Sequence, residues 1–196
     1  HGWIEGLTHG GLYKFAILNH NGDTHFKADP YARMHESAPN TASIVQAGDY
    51  VWSDQAWLDE RAKRDHQKSP LSIYEIHLES WMHCGPEGKS YGSYQEVAEP
   101  LARYVKELGF THVEFLPLLE HPFGGSWGYQ VTGYFSPTSR FGTPDELKML
   151  VDTLHRHGIG VILDWVPAHF PFDAHGLAKF DGEALYEYGD PKRGYH

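Results

Sequence analysis

Two stretches of this 196-residue chain set side chains that could bind or activate a polar ligand close together. In Asp164-Trp165-Val166-Pro167-Ala168-His169, an acid and an imidazole follow an apolar run. An acid at such a place caps structure about as often as it serves a ligand, so this spacing alone decides little. The second stretch runs from Glu120 to Phe141, with Gly124-Gly125-Ser126-Trp127-Gly128-Tyr129-Gln130 at its centre. Read as a structureless loop of about 22 residues, it is uncommonly long for a compact domain, and such loops are usually functional. Its glycines let the backbone turn sharply and present Trp127 and Tyr129. On residue type alone, Tyr129 reads equally well as packing or as ligand binding. Gly124 to Gly128 also match the G-x-S-x-G of a serine-hydrolase nucleophile elbow. That elbow needs a strand directly before the serine and a helix directly after it. A His-Pro-Phe segment precedes Ser126 here and a long loop follows, so it is not read as a nucleophile.

The bulk composition narrows the ligand. A formal charge of −10 argues against nucleic acid, which needs clustered Lys and Arg to displace counterions. It argues equally against an anionic membrane surface. A neutral partner remains, and 6 Trp with 12 Tyr suit a carbohydrate, whose rings offer flat apolar faces. No H-E-x-x-H or Cys/His zinc spacing appears among the fifteen His, so no metal is expected, and most of them read as surface. No organic cofactor is implied. The lone Cys84 suits a reducing compartment, and the cytoplasm is the expected location. The absence of an initiating Met suggests an internal piece of a longer protein.

The elements that must position these residues change character near residue 70. Before it, Gly11 to Leu18 and Thr24 to Lys27 read as two strands joined through the hairpin signal Asn21-Gly22. Residues 1–45 are expected to be the C-terminal part of a β-sandwich and 46–70 a linker, within which Asp59 to Ser69 reads as linker or as a short exposed helix. From 71 the period switches. Leu71–Leu78, Thr111–Leu116 and Gly160–Asp164 read as strands, the last nearly all apolar, as in a parallel sheet covered on both faces. Between them, Ser93-Tyr94-Gln95-Glu96 and Thr143-Pro144-Asp145-Glu146 are capping boxes that open helices. Gly109 and Gly158 supply the stops. Pro100 should kink the first helix or delay its start. Strand, helix, strand, helix, strand with right-handed crossovers makes the strands parallel, with their C-terminal ends on one edge. A barrel and a doubly wound sheet both fit, and no G-x-G-x-x-G favours the second.

Several longer segments then carry a resemblance. Ile73–Trp81, Gly109–Pro117, Glu120–Phe123, Ser126–Gln130, Pro137–Pro144 and Gly158–Phe170 resemble the α-amylase family of glycoside hydrolases and transglycosidases. Within it the 1,4-α-glucan branching enzymes are the most similar. Residues 10–45, with Gly11–Phe15 and Lys27–Ala32, resemble the end of the β-sandwich glycan-binding module that precedes the barrel in these enzymes. The resemblance implies that 71–196 are the first part of a (β/α)8 barrel, holding its first three strands. It implies an α-glucan partner, with Tyr129 stacking under the sugar before the scissile bond and His169 donating a hydrogen bond to its hydroxyl. Asp164 would brace the polar network, and Trp127 would shape the pocket wall. The family's carboxylate nucleophile and acid/base follow its fourth and fifth barrel strands. No acid here is therefore expected to be catalytic, and this stretch alone is expected to be inactive. Asp173, Asp181 and Asp190 match no catalytic segment. Hydrolases of the same family that debranch or release trehalose, and a non-catalytic glycan-binding role, are the alternative readings.

Overall fold

The computed structural model describes residues 4–82 and 91–194. Cys84 lies outside the described residues. In chain order the first elements are β1 (Leu12–Tyr13), β2 (Phe15–Leu18), β3 (Thr24–Lys27), β4 (Ser43–Ile44), α1 (Gln55–Lys63), β5 (Ile73–Ile76) and α2 (Leu78–Trp81). They continue with α3 (Tyr94–Glu107), β6 (His112–Phe115), β7 (Leu119–Glu120), β8 (Gly133–Pro137), α4 (Pro144–Arg156), β9 (Gly160–Leu163) and α5 (Pro191–Gly194). These gather into two compact units. One holds Gly48–Leu118 and Arg140–Trp165; the other holds the chain up to Ala47, Leu119–Ser139 and Val166 onward.

In the first of these units, β5, β6 and β9 form a parallel sheet in that spatial order. The two long helices start where the sequence places them. Ser93 Oγ accepts the Glu96 N–H at 3.2 Å while the Glu96 carboxylate accepts the Ser93 N–H at 2.8 Å. Thr143 and Glu146 make the same reciprocal pair, with Pro144 supplying the preset φ of the first helical position. Glycines with φ of +79° and +78° at Gly109 and Gly158 then turn the chain out of each helix. Pro100 does not delay the start of α3, which is helical from Tyr94. Each helix turns an apolar stripe inward. Val97, Leu101 and Val105 from α3, and Leu150 and Leu154 from α4, bury against Ile76, Val113 and Phe115 of the sheet. Each such side chain contributes on the order of 2 kcal/mol by leaving water.

The expected two-sided cover is not present within this unit. Glu75 and Glu114 are register partners on the opposite face from Val113 and Phe115, and both keep access to solvent. Gly160 is demanded by its neighbour on that face: a Cβ there would stand 2.3 Å from the His112 ring, its partner in register.

The stretch read as a linker or short exposed helix holds such a helix, α1, with no buried residue, and polar contacts anchor the residues around it. The buried carboxylate of Asp152 on α4 accepts the Tyr50 hydroxyl at 2.8 Å and the Ser53 hydroxyl at 2.7 Å. Asp54 pairs with His155 at 2.7 Å, and Trp57 of α1 stacks flat on the same imidazole at 3.7 Å. These polar anchors are invisible to a reading that looks for apolar periodicity.

In the other unit, β2 and β3 form the expected hairpin, with Phe15 opposite Lys27 and Leu18 opposite Thr24. Its turn is held by the Asn19 side chain, which accepts the Asn21 and Asp23 N–H groups. A second antiparallel pair joins β1 to β4. At the end of the hairpin, Lys27 is buried and its ammonium donates to the carbonyls of Gly176 and Ala178, each at 3.2 Å. Burial lowers its pKa from the ordinary lysine value.

The expected structureless loop from Glu120 to Phe141 is not structureless. Leu119–Glu120 and Gly133–Pro137 pair antiparallel, and 3-10 turns at Gly124–Ser126 and Ser139–Phe141 fill much of the rest. Of the described histidines, only His35 and His121 are buried; His9, His20 and His66 are exposed and the others are half-buried.

Candidate functional site

Glu120 is the fastener of the 119–139 excursion. It is 6% exposed, and its carboxylate accepts the Ser139 N–H at 2.7 Å and the His121 N–H at 3.1 Å. Its own carbonyl accepts the Thr132 N–H at 2.9 Å. One side chain thus ties both ends of the excursion together. Ser126, the serine of the G-x-S-x-G match, donates its hydroxyl to the Phe123 carbonyl at 2.7 Å within a 3-10 turn. The strand–turn–helix of an elbow is absent there, and β8 is the next element.

After that turn the backbone passes through φ of 56° at Trp127 and 90° at Gly128. The first value is uncommon for a large side chain and costs on the order of 1 kcal/mol or more. At this corner Trp127 is 59% exposed and Tyr129 38% exposed. Tyr129 also meets His169. The His169 Nε2 lies 2.6 Å from the Tyr129 carbonyl oxygen. A carbonyl only accepts, so Nε2 carries the hydrogen in this arrangement. A neutral His169 then presents Nδ1 as an acceptor. Donating to a ligand hydroxyl, as the resemblance implies, would require protonation or release from Tyr129. The His169 backbone is held as well, since the Tyr134 hydroxyl donates to its carbonyl at 3.1 Å. Burial, and behind it the Glu187 carboxylate, raises the pKa of Tyr134 and keeps that donor in place. The Phe170 ring packs between Tyr134 and Tyr186, at 5.8 and 5.5 Å.

An open cavity of about 410 Å³ is lined by Gln130, His169, Phe170, Pro171, Phe172 and Asp173. It offers acceptors and donors on Gln130, His169 and Asp173 beside exposed aromatic surface on Phe172. Of the four residues singled out in the sequence, the structure brings Tyr129 and His169 into contact and places Trp127 two residues from Tyr129. Asp164 belongs to the other unit, half-buried at the end of β9, where its N–H extends the sheet ladder to the Phe115 carbonyl at 3.0 Å. Sequence reasoning passed over Phe172 and Tyr134 and weighed Asp173 only as a catalytic acid, whereas Gln130 and Phe170 lay within segments that had been noticed. Among the described residues no group of three or more His, Cys, Asp or Glu is placed to hold a metal ion. No helix among them is long and apolar enough to cross a membrane.

The model of the family described as "Alpha amylase, catalytic domain" matches residues 63–179. The chain belongs to this family. A solved structure titled "Putative alpha Amylase from Salmonella typhimurium" superimposes with a TM-score of 0.68 at 27% identity, covering 90% of this chain and 27% of that one. The parallel strands and crossover helices described above are accordingly part of a TIM-barrel-type fold. Among curated relatives, the "1,4-alpha-glucan branching enzyme GlgB" of Corynebacterium glutamicum is 56% identical over 98% of this chain. That of Corynebacterium diphtheriae is 54% identical over 98%, and that of Aquifex aeolicus 54% over 98%. The chain spans 25%, 25% and 30% of these three relatives. In chain order, the exposed aromatic corner follows β6 and the held histidine follows β9.

Proposed function

We propose that the protein containing this chain is a 1,4-α-glucan branching enzyme of glycogen biosynthesis, working in the cytoplasm on glycogen- or amylose-like chains. The observation that carries the reading is identity of 54 to 56% over 98% of the chain to relatives bearing that name. The relative titled a putative amylase stands at 27%, which favours transfer over hydrolysis. In the reaction, a carboxylate attacks C1 of the donor as an acid protonates the departing O4, breaking the α-1,4 link and leaving a glycosyl ester. The 6-hydroxyl of an acceptor then displaces the carboxylate and returns its proton to the base, so the α configuration is retained. Neither carboxylate role is assigned to an acid of this chain.

What this chain supplies is grip. Tyr129 stacks under the sugar before the scissile bond and Trp127 walls the pocket. Asp164 braces the polar groups, and His169 meets a sugar hydroxyl through Nδ1 while Nε2–H holds the Tyr129 carbonyl. The β1/β4 and β2/β3 pairs are the end of a β-sandwich glycan-binding module ahead of the barrel. Neither nucleic acid nor a membrane is a partner in this reading. The test is to incubate the full-length protein with amylose and follow iodine staining together with the anomeric signals of α-1,4 and α-1,6 links. New α-1,6 links are expected; loss of staining without them would sink the proposal. Tyr129→Ala and His169→Ala in the same protein are expected to lower kcat/KM while leaving thermal unfolding unchanged.

A further inference from the structure

The stretch that carries His169 has no regular structure to place it. Residues 164–171 are neither helix nor strand. Among the described residues, no main-chain group of 165–171 bonds to another main-chain group. A histidine in such a stretch stands where the side chains and carbonyls around it hold it.

Two tyrosines of the 119–139 excursion do the holding, at two different points. The Tyr129 carbonyl accepts the Nε2–H at 2.6 Å and so fixes one corner of the imidazole. The Tyr134 hydroxyl donates to the His169 carbonyl at 3.1 Å and so fixes the backbone from which the ring projects. The Tyr134 ring also packs against Phe170, the next residue, with 5.8 Å between ring centroids. One side chain therefore holds the 169–170 peptide by its oxygen and by the ring that follows it.

Tyr134 has a firm base for this. It lies on β8 directly after Gly133, the register partner of Glu120, and the Thr132 N–H before them bonds the Glu120 carbonyl at 2.9 Å. Two residues further along the strand, the Ser136 hydroxyl meets the buried His35 ring at 2.7 Å. Groups set on strands hold a geometry better than groups set on loops. Burial, and behind it Glu187, raises the pKa of Tyr134, so its hydroxyl keeps its proton at neutral pH and stays a donor. With the carbonyl and Nε2 both tied, the imidazole has a defined orientation, because hydrogen bonds restrict direction as well as distance. Freeing the carbonyl leaves the Tyr129 bond alone to hold a stretch that has no main-chain support.

From this geometry we infer that Tyr134 is a positioning residue for the reaction, setting through the His169 carbonyl where the imidazole stands against the sugar. The inference rests on the proposed glucan function and deepens it. Tyr134 is given no contact with the substrate; its effect passes through His169. Misplacing a group that grips the sugar at the scissile bond slows bond breaking, while the rest of a long glucan is still held elsewhere.

The test is a double-mutant cycle in the full-length protein, with formation of α-1,6 links from amylose as the activity. Tyr134→Phe keeps the ring on Phe170 and removes only the hydroxyl. It is expected to lower kcat about fivefold, the equivalent of one neutral hydrogen bond, with KM within about twofold of wild type. In a His169→Ala background no imidazole remains to be placed, so the double variant is expected to match His169→Ala alone. The inference is overturned if Tyr134→Phe leaves kcat unchanged, if only KM moves, or if the same fold loss appears in both backgrounds. Failure of Tyr134→Phe to fold would equally overturn it, since the hydroxyl would then serve stability. A wild-type protein that forms no α-1,6 links refutes the glucan function and this inference with it; wild-type branching together with full activity in Tyr134→Phe refutes only the role of Tyr134.

Discussion

Removing the Glu120 carboxylate should release the excursion that presents Trp127 and Tyr129 while leaving the parallel sheet intact. In Glu120→Ala, the N–H groups of Ser139 and His121, bound at 2.7 and 3.1 Å, lose a charged acceptor in a site that is 6% exposed. Hydrogen bonds to charged groups contribute about 1.5–3 kcal/mol each, so losing two weakens local closure by about 3 kcal/mol at the lower bound. At about 1.4 kcal/mol per factor of ten, the 119–139 segment then opens on the order of 10²-fold more often. Hydrogen–deuterium exchange of the full-length protein, followed by mass spectrometry on peptides covering 119–139, reads this directly. Glu120→Gln keeps one acceptor oxygen and turns the other position into a donor, so it should fall between wild type and Ala. The half-saturating glucan concentration should rise in the same order, because the opened segment carries the exposed rings. Exchange across 119–139 within twofold of wild type in Glu120→Ala would refute the assignment of Glu120 as the fastener.

Two further outcomes follow from buried polar groups. Burial holds His35 at about 4, well below the ordinary histidine value, so between pH 6.5 and 4 the unfolded chain takes up a proton that the folded one refuses. Stability that is full above pH 6.5 is then lost as pH falls through that window, by up to about 3 kcal/mol. Thermal unfolding at pH 7 and 4.5 should show this loss in the wild type and a smaller one in His35→Gln. For Asp152, burial pushes the carboxyl up, but hydrogen bonds from Ser53 and Tyr50 outweigh it and leave the group below the usual carboxylate range. Asp152→Ala should destabilise by about 3 kcal/mol in chemical denaturation, since three donors on Tyr50 and Ser53 lose their acceptor. Tyr50→Phe, which removes only one of those bonds, should lose about 1 kcal/mol.

The helices and parallel strands were legible because their causes are local. The Ser93/Glu96 and Thr143/Glu146 boxes and the stripe of Val97, Leu101 and Val105 each lie within a few residues of one another. The linker reading of 46–70 had no such signal to use. Its anchors, Asp152 to Tyr50 and His155 to Asp54, join residues about a hundred positions apart through single polar contacts. A still longer separation hid Lys27, whose partners at Gly176 and Ala178 are backbone carbonyls with no sequence signature at all. The buried His35 escaped for a related reason: residue type reports an average preference, whereas its burial depends on a glycine at 133 and a serine at 136.

By itself the sequence determined the order of elements, the capping of both long helices, the candidates Trp127, Tyr129, Asp164 and His169, and the membership that the alpha-amylase match bears out. Periodicity, capping and motif spacing are properties of neighbouring residues, and a linear reading has access to them. Only the tertiary structure decided that Nε2 of His169 is committed to the Tyr129 carbonyl. It alone decided that Trp127 turns outward through a left-handed backbone. Those outcomes depend on which hydrogen-bonding group meets which across the fold, and directional bonds between distant residues exist only once the chain has closed on itself.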